Sequence, residues 1–348
     1  MDYPTVHGRL IHFRNSTLAL IVVALSLTLS AQTPPRIGII DFYGLNKVQE
    51  SRLRQALGVR EGDPLPASKG GTEERLDEIA GVVESHLEAV CCEAGNAILY
   101  VGIEERGATH LDLREPPESD LSLPADILDT YRRFGAALEA AVRRGVTGDD
   151  LTQGHSLMAD PSTRALQEQF PELARQYLGE LRSVLRESND DEQRAAAAYV
   201  IGYAPKKSDV VNDLQFALRD ADPGVRNNAS RALVAMAVLA RLHPALEIKV
   251  SPTWFIEMLN SLSWTDRNKA VMALQILTDS RDANILAQLR ERALPALIEM
   301  ARWKSLGHAL PAYVLVGRVA GLAEEQIQEA WSRGDRDFVI AAATGRKK

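Results

Sequence analysis

Hydrophobic and polar positions change rhythm along the chain. Arg36-Ile37-Gly38-Ile39-Ile40-Asp41-Phe42 is a short β-like run closed by the turn-prone Tyr43-Gly44-Leu45-Asn46. From Glu50 to Leu57 the apolar Leu53, Ala56 and Leu57 share a helical face, and Gly58 ends it. Ser68-Lys69-Gly70-Gly71 reads as loop, with Thr72 as N-cap of a second helix from Glu73 to Leu87 striped by Leu76, Ile79, Ala80, Val83 and Leu87. A hairpin follows, with strands Ala89 to Cys92 and Ala97 to Glu105 around Glu93-Ala94-Gly95-Asn96. The predicted order is β-α-α-β-β. Beyond a proline- and acid-rich stretch at 107–124, read as a linker, every strong pattern is helical. Ala125 to Arg144 and Phe170 to Arg186 are amphipathic, and paired helices then recur to about residue 345.

The recurrence has a fixed opening phrase. Asp191-Glu192-Gln193-Arg194-Ala195-Ala196-Ala197 is echoed by Pro223-Gly224-Val225-Arg226-Asn227-Asn228-Ala229 and by Trp264-Thr265-Asp266-Arg267-Asn268-Lys269-Ala270. The arginines stand 32 and 41 residues apart. A helix-pair unit returning at such intervals signals an α-solenoid, because no single pair can bury its apolar face alone. Asp222-Pro223 and Ser251-Pro252 start helices with a capping side chain followed by a proline whose missing N–H costs nothing there. Ala197, Ala229 and Ala270 recur in phase and allow close helix approach. Arg194, Arg226 and Arg267 carry two readings: a structural ladder pairing with helix ends and the neighbouring unit's acids, or a basic row facing an acidic partner. Trp264, set beside polar residues at a repeat start, is the candidate exposed anchor.

The N-terminal pieces, Phe42-x-Gly44 after the first strand, Leu53 and Leu57, then Gly62-Asp63-Pro64-Leu65, and a last strand ending Ile103-Glu104-Glu105, together resemble a POTRA domain over residues 36–106. That resemblance implies a periplasmic module that binds polypeptides, often by adding a strand to its sheet edge. No β-barrel region follows, so an outer-membrane assembly pore is not expected. The repeats, clearest over 190–331, resemble short HEAT repeats of the type found beside phycobilin lyases, with a D-x-x-R-x-x-A opening helix. They imply an all-α solenoid over 125–345 without naming a partner. The lyase activity is not carried over, because no chromophore-site pattern is visible.

Composition narrows the classes. The 348-residue chain is 45% hydrophobic with net charge −7 and no long run of like charges, so no footprint for nucleic acid is expected. Arg9, Arg14, the apolar run Thr17 to Leu29 and the small Ser30 and Ala31 read as an export signal over residues 1–31, cleaved near Ala31. The run is short of the ~20 residues a spanning helix needs. Membrane contact is therefore expected to be transient and confined to that segment, in a periplasmic or secreted protein; retention as an inner-membrane anchor is the alternative. Cys91 and Cys92, the only cysteines, are expected to be structural thiols.

Motifs of catalysis do not assemble. No HExxH, GxSxG or dinucleotide fingerprint occurs, and Lys69-Gly70-Gly71-Thr72 lacks phosphate-loop spacing and reads as flexible loop. Catalytic, cofactor and metal residues are none by this reading. The expected function is a non-enzymatic scaffold that holds a protein or peptide partner through a sheet edge and a solenoid groove. The competing class is an enzyme with a site at the domain junction, using buried acids with His110 or His155.

Overall fold

In the computed structural model, which describes residues 36–345 except the side chain of Cys92, a small mixed sheet precedes a long series of helices. The export-signal segment lies outside the described residues. Strand β1 (Ile37–Tyr43) leads to α1 (Glu50–Leu57), which stops at Gly58 in the left-handed region, φ 70°. Next come α2 (Lys69–Asp77), β2 (Val82–Glu93) and β3 (Asn96–Glu105). The β-α-α-β-β order is as expected, but its middle is displaced. Ser68 caps the second helix, its Oγ accepting from Gly71 N at 3.1 Å, so Lys69-Gly70-Gly71-Thr72 is the helix's first turn and not a loop. The helix ends at Asp77, and Gly81, at φ 105°, turns the chain into a long strand that takes Val83 and Leu87 out of the expected helix. Cys91 is disulfide-bonded, which corrects the structural-thiol expectation at that position.

The sheet order is β1-β3-β2, with β3 parallel to β1 and antiparallel to β2. As the central strand, β3 is buried on both faces, which its unbroken Ala97-Ile98-Leu99-Tyr100-Val101 run anticipates. Leu99, Val101 and Ile103 meet Leu53, Leu57 and Leu76 in one core. Ile98 and Tyr100 join a second core that belongs to the helices.

Residues 107–124 are not a loose tether. They cross the helices as an extended strap, with Arg114 N donating to Arg219 O (2.8 Å), Ser119 N to Glu187 O (3.1 Å) and Leu123 N to Gln193 Oε1 (2.9 Å). Then follow α3 (Ala125–Arg143), a two-residue pair β4 (Asp149–Asp150) and β5 (Leu157–Met158), and α4 (Pro161–Gln167). The expected single helix over 170–186 is two, α5 (Phe170–Gln176) and α6 (Leu178–Glu187), broken at Tyr177. The repeat helices are α7 (Asp191–Ile201), α8 (Val211–Ala217), α9 (Pro223–Leu242), α10 (Thr253–Met258) and α11 (Trp264–Leu277). Four more complete the region: α12 (Ala283–Arg292), α13 (Leu294–Ala301), α14 (Leu306–Val319) and α15 (Glu324–Ser332). A final α16 (Arg336–Thr344) closes the helical region, which was expected to reach about residue 345. Pro295 sits at the start of α13, where a proline is tolerated, and α12 and α13 are two helices with a break between them.

The opening helices share one device. Asp190, Asp222 and Ser263 each accept a hydrogen bond from the backbone N–H three residues on, and Pro223 occupies the first position of α9. Helix α7 packs on α9, α9 on α11, and α11 on α14. Ala197, Ala229, Ala270 and Ala312 are fully buried, where a larger side chain would hold the helices apart. None of the described helices is long and apolar enough to cross a membrane.

Sheet and helices meet closely. A Cβ on Gly102 of β3 would lie 2.4 Å from Leu262 O and 2.8 Å from the Tyr43 hydroxyl, so only glycine lets the strand approach the turn before α11. Gly102→Ala should cost about 1–3 kcal/mol by overpacking. Denaturant unfolding of the variant checks this; an unchanged midpoint would show that the junction yields freely.

Candidate functional site

The three ladder arginines are interior. Arg194 makes a two-pronged contact with Asp220 (both 3.0 Å) and donates to Ser188 O at 2.9 Å. Arg226 grips Asp266 at 3.0 Å and donates to Asp220 O at 2.8 Å. Arg267 donates to Ser261 O at 2.6 Å and to Glu299 at 3.1 Å. Each guanidinium thus takes the carbonyl six residues before it and an acid from further along the chain. All three are at most 5% exposed. The ladder reading describes these contacts, and a row offered to an acidic partner does not. Trp264 is also interior, 7% exposed and stacked on Tyr100 with ring centroids 5.0 Å apart, so it is not an exposed anchor. Its repeat-opening position is where the sheet docks.

That docking is polar as well as apolar. The Tyr43 hydroxyl donates to Leu262 O at 2.7 Å, and the Tyr100 hydroxyl lies 2.7 Å from His308 Nδ1. Glu88 accepts from Ser263 Oγ (2.7 Å) and Thr265 N (2.8 Å). Burial would raise the Glu88 carboxyl, but those bonds and His86 outweigh it and hold the group below its usual range. Lys304 N donates to Asp41 at 2.9 Å, where burial wins and the carboxyl is raised.

Beside this junction lies an open cleft of about 630 Å³. Its apolar wall is Phe42, Leu45, Ile103, Leu262, Pro295 and Ile298; its polar groups include Asn260, Arg267, Glu299 and Arg302. The last rung of the arginine ladder therefore ends in the cleft. Glu299 takes Arg267 on one oxygen and the N–H of Gly44 on the other, at 2.7 Å. Burial pushes its carboxyl above the usual range in spite of both donors. Gly44 needs its positive φ of 81° here, and a Cβ would strike Ile103 O at 2.0 Å. Trp303 lines the same cleft, is 2% exposed, and its indole N–H is buried without an acceptor. A buried donor of this kind needs an explanation, since nearly all such groups are paired in folded proteins.

The histidines of the enzyme alternative are not brought together. His110 pairs with Glu104 at 2.9 Å beside the cleft and is exposed. His155 sits elsewhere, its Nδ1 3.1 Å from the buried Lys207 ammonium and its ring against Tyr203. Among the described residues no group of three or more His, Cys, Asp or Glu is placed to hold a metal ion. Sequence reasoning missed Glu299, Trp303 and Lys207. Phe42-x-Gly44 marked the loop that Glu299 holds, but nothing local marked its partner.

The chain matches no protein-family model and no curated protein.

Proposed function

We propose that this chain is a non-enzymatic scaffold, exported to the periplasm or the cell exterior, that holds an extended segment of a partner polypeptide in the junction cleft. The β-α-α-β-β order and the Phe42-x-Gly44 turn support a POTRA-like first module. The row of α7, α9, α11 and α14, each of the first three opened by the repeated phrase, supports a HEAT-like solenoid. Export rests on the pattern of residues 1–31. The carrying observation is an open cleft lined about equally by apolar and polar groups, with Trp303 in its wall holding a buried indole N–H that has no acceptor. A backbone carbonyl would satisfy that donor, and apolar side chains of the same segment would cover Phe42 and Ile298. Strand addition at β2 is the weaker route, because the Glu73 carboxylate already accepts the Leu87 N–H at 2.7 Å and an incoming strand would compete with it.

Fluorescence anisotropy over a library of extended peptides tests the reading. Saturable binding is expected, weakened roughly tenfold by Trp303→Phe, the size of one lost hydrogen bond of about 1–1.5 kcal/mol. Leu45→Arg, placed at the cleft wall, should weaken the same peptides and guards against a folding defect in the first variant. Binding indifferent to both substitutions would reject the cleft, and small-molecule turnover without any peptide binding would favour an enzyme. N-terminal sequencing of the exported protein separates the cleaved form from a membrane-tethered adaptor that retains residues 1–31.

A further inference from the structure

A second cleft, of about 440 Å³, opens on the other side of the β1–α1 turn. Lys47, Arg52 and Arg106 line it, one from the turn, one from α1 and one from just past β3. All three are exposed. Arginines in this protein are otherwise committed: among the described residues only Arg52, Arg106 and Arg133 have a guanidinium with no hydrogen bond or ion pair. Two of those three face this one cleft, together with a lysine in the same condition.

The backbone beneath them is held. Glu105 accepts from Asn46 N (2.7 Å), Lys47 N (2.8 Å) and Val48 N (2.9 Å). Burial would raise this carboxyl, but those N–H bonds prevail and keep it low. Glu105 itself lines the cleft and its charge acts on Lys47, while three backbone donors take up much of its hydrogen-bonding capacity. Arg106 N donates to Gly81 O at 3.1 Å, tying the end of β3 to the start of β2. At Gly81 a Cβ would come 3.2 Å from Val48 Cγ2, so the cleft floor is tight. Three exposed cations with no hydrogen-bonded side-chain partner, facing one carboxylate that backbone donors already hold, leave this cleft net positive in a chain of net charge −7, a local site for a small anion.

We propose that this cleft binds a phosphoryl group, free or on a headgroup, with Arg52 and Arg106 forking its oxygens and Lys47 adding a point charge. Two guanidiniums and an ammonium match a doubly charged, three-oxygen anion better than a single carboxylate. The cleft is separate from the polypeptide cleft and shares none of its lining residues.

Isothermal titration of the full chain with inorganic phosphate and pyrophosphate, and co-sedimentation with phosphatidic acid vesicles, whose headgroup is a phosphomonoester, against phosphatidylcholine vesicles, distinguish the two sources. Saturable binding in either arm is expected, lowered at least tenfold in Arg52→Gln/Arg106→Gln and unchanged in Arg133→Gln. The three arginines are exposed, so thermal unfolding of the variants should match the parent. No saturable binding in either arm overturns the proposal. So does binding that Arg133→Gln weakens as much as the cleft pair, because that would be diffuse charge attraction.

Discussion

Asp266→Ala should remove about 3–5 kcal/mol of folding stability, more than any other single substitution in the arginine ladder. Asp266 is fully buried, accepts Arg226 on both oxygens and also accepts the Ser261 hydroxyl at 2.8 Å. Truncation leaves the Arg226 cation 4% exposed, with only the carbonyls of Asp220 and Ala221 to answer it. The cost is that of a stranded charge, and not the worth of the pair. A double variant, Arg226→Met/Asp266→Leu, should therefore recover most of the loss, since well-packed apolar replacements of buried pairs are often neutral. Glu299→Gln should be milder, because its side chain is 26% exposed and water can reach the freed Arg267. Urea unfolding of the four proteins checks the ranking. A loss below about 1 kcal/mol for Asp266→Ala would mean that water or a rearranged acid already reaches Arg226.

The ladder shows what was readable in the chain and what was not. The phase of Arg194, Arg226 and Arg267 is local information, as is the Asp222-Pro223 helix start, and both are found where expected. Their acids come from Asp220, Asp266 and Glu299, at unequal distances, so no spacing rule points to them. Trp264 looked exposed because its neighbours in sequence are polar. Its ring is covered by Tyr100, from a strand more than a hundred residues earlier. In the first module, Leu76, Ile79, Ala80, Val83 and Leu87 fit a helical stripe, yet Val83 and Leu87 lie in a strand. Gly81 was the usable signal, since its left-handed conformation ends the turn before β2. The two clefts depend on contacts between distant segments, which neither periodicity nor motif spacing reports.

Lys207→Met should stabilise the protein near neutral pH and flatten its stability profile on the alkaline side. Lys207 is 6% exposed; its ammonium donates to Gly202 O at 2.8 Å and faces His155 Nδ1, with no carboxylate within 4 Å among the described residues. Burial pulls it from the ordinary lysine value down to about 7. The unfolded chain then holds this proton up to about pH 10.5 and the folded chain only up to about 7, so stability from this group rises as pH climbs through that window. Below pH 7 the full penalty applies, an upper bound of about 5 kcal/mol at 1.36 kcal/mol per unit. Nearby, burial and the Lys207 charge lower His155 to about 4. Between pH 6.5 and 4 its protonation in the unfolded chain takes away more stability, with the same sign. Methionine keeps the length of the lysine stem and removes the charge, so a gain of about 2 kcal/mol at pH 7 is expected after the lost bond to Gly202 O is counted. Urea midpoints measured from pH 6 to 10 decide it: the wild type should gain stability with pH relative to the variant. Parallel curves would mean that Lys207 titrates as an ordinary lysine, with solvent or an unseen anion reaching the ammonium in the folded protein.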